Sequence, residues 1–469
     1  MEQALTYQYF EFSFCKILYV DCMEITEQAG AHGELKITAV LDFGLEQTAF
    51  FEVPEQLVLY YLDGGEKKVL FSGVLQSSSM KRKGKYLYLQ LTAKTLTYRM
   101  DIQREIRSFQ NLSETNHQVM EEIFGDYSGC MCRNYAPEQA IGQFLFQYEE
   151  TDWVFLKRLC NWYGVRLYPQ AQKEGMAFYA GIAPLQSGGK LPELFYCCQL
   201  DFSDYEAVKA NTGQEALPQE RLHYMAHSFE IMPIGEKISY HGNEWNIVAA
   251  KRVLEKGLLR NYYTLAQPEA EVEERLRSRL LPGISLDGSV KAVQRNKVQV
   301  WMNRDTNPSS AGQYWFPYST VAGSGDGSGW YCMPEVGEKI RVYFPTAEER
   351  EGYVISSLAG NTKENQSGSM DPAVKHISTA QGNTVTLSGG GAVVSACGGA
   401  DTMVLGSDGA VSVIAASSIS IAAGSKISFK ANEIGVLGKS KVGIKADGGA
   451  SAELTPGLAD LKAVKINQN

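Results

Sequence analysis

Long apolar runs are missing from this chain. No stretch of about 18 apolar residues occurs anywhere, so no membrane-spanning helix is expected. The opening residues, MEQALTYQYF, lack a basic segment leading into an apolar core, so no Sec-type signal peptide is expected either. Basic excess is also absent: 44 Lys and Arg stand against 53 Asp and Glu, for a net charge of -9. This balance argues against a nucleic-acid binder. A paired disulfide framework is lacking, because the nine cysteines are odd in number and scattered: Cys15, Cys22, Cys130, Cys132, Cys160, Cys197, Cys198, Cys332 and Cys397. They read as reduced, mostly packed thiols of a chain made in the cytosol. What is present is ordinary globular material, 44% hydrophobic, 21% charged and 11% aromatic over 469 residues. That length suits about two to four domains.

The scarcities sharpen toward the C-terminus. Ile377–Asn469 holds one aromatic residue, Phe429, one proline, Pro456, and no histidine. It is instead rich in small residues, with 15 Gly, 15 Ala and 12 Ser, and carries a net charge of +1. Such a segment cannot build an ordinary globular core, and on composition alone a flexible linker would serve. The spacing argues otherwise. Apolar pairs recur: Met403 with Leu405, Val411 with Val413, Ile419 with Ile421, Ile427 with Phe429, Ile434 with Val436, and Val442 with Ile444. The steps between pairs are eight residues, with one step of seven. Each pair places two side chains on one face of a short strand. Turn-forming clusters such as Gly406-Ser407-Asp408-Gly409 and Ala423-Gly424-Ser425 lie between them. A strand-and-turn octad signifies a β-solenoid or β-prism. One copy offers only a thin apolar strip, and three copies wound together would bury it and leave few open edges.

Upstream, Val290–Val293, Lys297–Met302, Tyr314–Tyr318, Lys339–Phe344 and Gly352–Leu358 read as five short strands of a small OB-like barrel. Before it, Val272, Leu276 and Leu280 recur at four-residue steps within Pro268–Leu280, which reads as a short amphipathic connecting helix. Leu35–Leu41 and Tyr86–Leu91 alternate as strands. The basic run Lys81–Lys85, between strand-like Leu70–Leu75 and Tyr86–Leu91, reads as a solvated hairpin turn. Thr115 and Gln118 form a capping box for a helix bearing Val119 and Ile123. Thr151 caps a second helix with the stripe Trp153, Leu156 and Cys160, and Asp152 complements its N-terminal dipole.

Candidate chemistry is thin. His223 and His227 lie four apart, but strand-like Ser228–Met232 follows and no HExxH glutamate stands between them. Cys130-x-Cys132 and Cys197-Cys198 lack CxxC spacing, and Gly283–Asp287 lacks the last glycine of a nucleophile elbow. The loop Ala322–Gly329 lacks the lysine of a phosphate cradle. The acidic cluster Glu149-Glu150-Thr151-Asp152 is accounted for by a helix N-terminus rather than by paired glycosidase carboxylates. No catalytic, metal-binding or cofactor-binding residue is assigned.

Gln147-Tyr-Glu-Glu-Thr-Asp-Trp-Val-Phe-Leu-Lys-Arg-Leu-Cys-Asn-Trp-Tyr-Gly164 resembles the hub segment of VgrG-type spike proteins of contractile injection systems, and Ile106-Arg-Ser-Phe-Gln-Asn111 resembles its upstream companion. Trp315-Phe-Pro, Gly329-Trp-Tyr, Met333–Phe344 and Val354–Leu358 are similar to the OB domain of the same family. The resemblance covers roughly residues 5–360, with the β-repeat in the place of the spike. It implies a mainly β chain with minor α, divided into a hub of two barrel-like domains at 1–267, a connecting helix and linker at 268–288, an OB-fold barrel at 289–358, a linker at 359–380 and an octad-repeat trimeric β-helix at 381–469.

By resemblance the chain would be a non-enzymatic homotrimeric hub and spike joined to a hexameric, Hcp-like inner tube and to baseplate proteins, with possible effector cargo. It would assemble in the bacterial cytoplasm and leave with the particle. The roughly 20 residues between barrel and repeat leave no room for the lysozyme domain of some phage relatives. The twelve paired apolar residues would form the trimer core. Leu461, Val464 and Ile466 would meet a separate PAAR-like tip protein. A trimeric tail fibre would share the repeat but needs an aromatic knob that Leu461–Asn469 lacks. A β-helical polysaccharide hydrolase would need acidic pairs among Asp401, Asp408, Glu433, Asp447, Glu453 and Asp460.

Overall fold

The computed structural model describes residues 5–42, 54–184, 191, 196–202, 205–212, 218–267, 274–308, 312–321, 332–357, 373–379 and 381–466. The chain divides into two compact units, Met1–Gly360 and Asn361–Asn469.

The first unit is built on one large antiparallel sheet. Its order is Phe10–Phe12, Leu57–Asp63, Glu66–Lys83, Tyr86–Thr95, Ala31–Asp42, Tyr19–Gln28, Asn243–Glu255, Leu258–Ala266, Leu222–Ser228 and Tyr196–Leu200, with Lys237–Tyr240 paired beside Asn243–Glu255. Alternation explains the central strands: Leu35, Ile37, Ala39 and Leu41 face the same core as Leu87, Leu89, Leu91 and Ala93. The two barrel-like subdomains expected over 1–267 are thus halves of one nearly closed sheet. They join where Gln28 to Glu24 pair with Ala249 to Val253. Each half has its own core, the second around Tyr168, Tyr240, Trp245 and Tyr263. The basic run falls at the hairpin between Glu66–Lys83 and Tyr86–Thr95, where Gly84 takes φ +62°.

Helix α1 (Asn116–Gly125) opens on the Thr115–Gln118 capping box, and α2 (Asp152–Trp162) opens on Thr151, whose hydroxyl accepts from the Val154 N–H. Val119 and Ile123, and Trp153, Leu156 and Cys160, are buried in one helical core as the spacing requires. A short third helix, α3 (Tyr205–Thr212), lies near the far edge of the sheet in sequence.

The barrel has the strand order Trp315–Pro317, Lys297–Met302, Ile284–Gln294, Lys339–Phe344 and Tyr353–Ser357. A parallel bridge between Tyr318 and Val354, with the Ser319 N–H donating to the Val354 carbonyl at 2.8 Å, brings its two outer strands together. The first strand begins at Ile284, ahead of the expected Val290, because Gly288 lets it pass close to its neighbour. A Cβ on Gly288 would lie 2.7 Å from the Trp301 carbonyl oxygen.

The connecting helix is not there over its described residues, 274–280. Asn161 and Trp162 of α2 hold this segment instead: the Asn161 carboxamide donates to the Glu274 carbonyl and accepts from the Leu276 N–H, and the Trp162 indole donates to the Leu276 carbonyl. Side chains take the backbone bonds that a helix would have made internally. Val272 lies outside the described residues, as does the loop Ala322–Gly329. The cysteines also depart from expectation. Of the eight described, only Cys160 is buried, and Cys22, Cys197, Cys198 and Cys332 are exposed.

The second unit consists of two antiparallel meanders. The first runs through Lys375–Ser378, Thr384–Ser388, Gly391–Ala396, Asp401–Gly406 and Val411–Ile414, and the second through Val442–Lys445, Ser451–Thr455 and Leu458–Lys462. The first thus begins inside the expected linker. Met403 faces Val413 and Leu405 faces Val411. Within one chain this octad step is therefore a hairpin repeat, not a turn of a solenoid. Between the meanders, three of the expected pairs (Ile419 and Ile421, Ile427 and Phe429, Ile434 and Val436) lie in no strand of the chain. The expectation of strands there is corrected for the single chain: among the described residues their backbone finds no ladder partner within it.

Candidate functional site at the hub and barrel seam

The two sequence segments carrying the resemblance are hydrogen-bonded to each other. Arg104–Phe109 and Leu145–Thr151 form an antiparallel pair, with Ile106 opposite Tyr148, Arg107 opposite Gln147 and Ser108 opposite Phe146. The pair feeds both the helical core and the barrel. Phe144 and Phe146 enter the barrel core with Val298, Val300, Phe316, Val342 and Phe344. The ring centres of Phe144 and Phe316 stand 5.0 Å apart, and those of Phe146 and Phe344 stand 5.4 Å apart.

Polar side chains of the two segments bind the barrel's loops. The Ser108 N–H donates to Asp305 Oδ1 at 3.0 Å and its hydroxyl donates to Asp305 Oδ2. Burial pushes the Asp305 carboxyl up, and the Ser108 and Asn307 N–H bonds oppose that rise. The Ile106 carbonyl accepts from the Thr306 N–H at 2.9 Å. A single oxygen, Gln110 Oε1, accepts from the N–H groups of Gly312, Gln313 and Tyr314 at 3.0, 3.2 and 3.2 Å.

The acidic cluster is absorbed here. Arg158 on α2 is buried and donates to Glu150 at 2.8 Å, to the Phe146 carbonyl at 2.9 Å and to Glu349 of the barrel. Asp152 accepts from Gln147 Nε2 at 2.8 Å and from the Tyr127 hydroxyl at 2.7 Å. Glu149 has left-handed backbone, φ +49°, and pairs with Arg304 at 3.0 Å. The cluster therefore opens a helix and ties it to the barrel sheet within the first unit. Arg158, Glu349, Gln110 and Asp305 carry no local sequence signal, because their partners lie about 190 to 204 residues away.

The other candidates lie apart. His223 and His227 share the strand Leu222–Ser228. The His223 ring binds the Arg221 carbonyl at 3.1 Å, and the His227 ring packs against Phe229 and Tyr262. Among the described residues no group of three or more His, Cys, Asp or Glu side chains is placed to hold a metal, and no helix is long and apolar enough to cross a membrane.

The apolar ladder of the second unit is not a buried core within one chain. Val442 is half-buried. The other eleven residues are exposed: Met403, Leu405, Val411, Val413, Ile419, Ile421, Ile427, Phe429, Ile434, Val436 and Ile444. Exposure runs from 44% at Ile427 through 67% at Ile421 and 72% at Val436 to 73% at Ile444. The reason is compositional, because the repeat's Gly, Ala and Ser are too small to cover these side chains. Leu461, Val464 and Ile466 are exposed as well.

Residues 36–208 match the family model of the phage tail baseplate hub (GPD). No curated protein matches the chain. Among solved structures, the E. coli c3393 protein has a TM-score of 0.53 at 14% identity, covering 75% of this chain and 99% of its own. It is described as a component of the type VI secretion system similar to the T4 bacteriophage tail proteins gp27 and gp5. The Francisella PdpA–VgrG complex in its half-lidded form has a TM-score of 0.54 at 8% identity, covering 84% of this chain and 83% of its own. These likenesses establish the fold, and the family match adds a similarity to the baseplate hub over 36–208. Residues 36–208 of the chain are thus similar to the phage tail baseplate hub family, within a mainly β fold similar to that of the c3393 protein and of the PdpA–VgrG complex.

Proposed function

We propose that three copies of this chain form the central hub and spike of a contractile injection particle. The hub segment would sit beneath a hexameric, Hcp-like inner tube among baseplate proteins, and the C-terminal repeat would form the puncturing needle. Sheath contraction would supply the work, so the part demands rigidity rather than catalysis. The observation that carries the reading is the exposed apolar ladder. Eleven of its twelve side chains face solvent in the single chain, in a segment rich in Gly, Ala and Ser that leaves them uncovered. Further copies with the same octad step would bury them.

Leu461, Val464 and Ile466 would receive a PAAR-like tip protein. The Francisella neighbour is solved in complex with PdpA, which supports a hub that also carries a partner protein or effector cargo. The particle would be assembled in the bacterial cytoplasm and delivered outside the cell. Light scattering on the purified protein tests the reading, with negative-stain imaging of the same peak. A mass near three times 51.8 kDa and a needle projecting from a wide head are expected. A monomer would overturn it.

A further inference from the structure

Neither Cys197-Cys198 nor His223 with His227 has the local spacing of a metal site, but strand pairing builds a different set from the same residues. On the strand Leu222–Ser228, Tyr224 and Ala226 turn to the core around Trp245 and Tyr263. Met225 and His227 therefore face outward. The edge strand Tyr196–Leu200 pairs antiparallel with this one, placing Cys197 opposite Met225 and Cys198 opposite Tyr224. Cys197 thus shares the outer face with Met225 and His227, whereas Cys198 faces the other way. Directly opposite side chains stand about 4.5–5.5 Å apart at Cβ and diagonal ones about 7–8 Å apart, so a thiol, a thioether and an imidazole on this triangle reach a common point.

All three line one open groove of about 570 Å³ on the outer face of the sheet, together with Lys251, Tyr262 and His32. The other ionisable side chains of the groove are committed to partners. Lys251 pairs with Glu24 at 2.9 Å, the Tyr262 hydroxyl donates to Glu255 at 3.1 Å, Glu27 pairs with Arg252, and His32 bonds Thr97 and Asp101. The Cys197 thiol donates a long bond, 3.8 Å, to the Cys198 carbonyl, and a thiol is a weak donor. The His227 ring is steadied by Phe229 and Tyr262, with ring centres 5.3 and 5.4 Å away.

The donor set selects the metal. Thiolate and thioether are soft ligands that favour Cu(I). Magnesium and calcium take oxygen ligands, and a structural zinc site takes four ligands, none of them a thioether. We propose that Cys197, Met225 and His227 form a Cu(I)-binding site on the outer face of the large sheet. Binding releases the thiol proton to solvent and changes no oxidation state, and the thiolate neutralises the bound cation. The site is independent of the trimeric reading, because one chain supplies every ligand.

Titrating the full-length protein with Cu(I) under argon, against a chromogenic Cu(I) chelator, tests the proposal. The protein is expected to retain a single tight equivalent, with both sulfur and nitrogen neighbours in the copper X-ray absorption spectrum. Cys197→Ser, Met225→Leu and His227→Asn should each weaken retention at least tenfold. Cys198→Ser, adjacent but on the opposite face, and Cys22→Ser, another exposed thiol, should change it less than threefold. Met225 is 43% exposed and Met225→Leu keeps its bulk, so a loss there reports the thioether rather than the fold. Equal loss in Cys198→Ser, or full retention in Met225→Leu and His227→Asn, would mean unspecific capture by thiols and overturn the proposal. Failure to retain Cu(I), or equally tight retention of Zn(II), would overturn it too.

Discussion

Burying the Arg158 guanidinium costs several kcal/mol unless it is paired, and Glu150, Glu349 and the Phe146 carbonyl accept from its two terminal nitrogens while Nε is left without an acceptor among the described residues. Removing the cation alone leaves two carboxylates buried side by side. Arg158→Met is therefore expected to destabilise the first unit by about 3–5 kcal/mol, read as a lowered denaturation midpoint. Adding Glu150→Gln and Glu349→Gln should recover most of that loss, and no recovery would show that packing rather than charge holds the seam. His32 gives a pH signature. Its ring lies 4.7 Å from Trp153 and bonds Thr97 and Asp101. Burial pushes its pKa down to about 4, although the Asp101 hydrogen bond acts the other way. Between about pH 6.5 and 4 the unfolded chain holds the extra proton, so stability falls as pH falls through that window. Thermal midpoints at pH 7.5 and 5 should differ more in the native protein than in His32→Asn.

At the seam, three strand-end N–H groups depend on one carboxamide oxygen, that of Gln110. Gln110→Ala should cost about 1–3 kcal/mol and speed exchange at Gly312–Tyr314 at least tenfold, with the barrel strands Lys297–Met302 and Lys339–Phe344 little changed. The two strands were readable directly, because Val298, Val300 and Met302, and Ile340, Val342 and Phe344, alternate inward. Both helix caps were readable because their partners lie within three residues. Two elements were not. Pro282-Gly283 and the Asp287-Gly288-Ser289 cluster masked the start of the first barrel strand, whose pairing with Lys339–Phe344 is set some 50 to 60 residues away. The apolar spacing at Leu276 and Leu280 suggested a helix, but both side chains are exposed and the backbone bonds Asn161 and Trp162. The seam shows the same limit. Its motifs were visible in sequence, but their hydrogen bonds to the barrel sheet were not.

The proposed trimer makes one further demand on the whole molecule. The repeat carries a net charge of only +1 over 93 residues, whereas the rest of the chain holds about -10. Three repeats brought together therefore repel little, and each buried Ile or Phe should contribute about 1.5–3 kcal/mol from area removed from water. Apolar burial of this kind is not screened by salt, whereas surface ion pairs weaken as the screening length shrinks from about 14 Å at 0.05 M to about 3 Å at 1 M. The mass by light scattering should accordingly stay near three times 51.8 kDa across that range. Ile427→Ser with Phe429→Ser, in the centre of the ladder, should lower the concentration-dependent stability of the assembly at both salt concentrations alike. Dissociation of the native protein at 1 M salt would mean that ion pairs between the hubs hold the assembly, with the ladder contributing little.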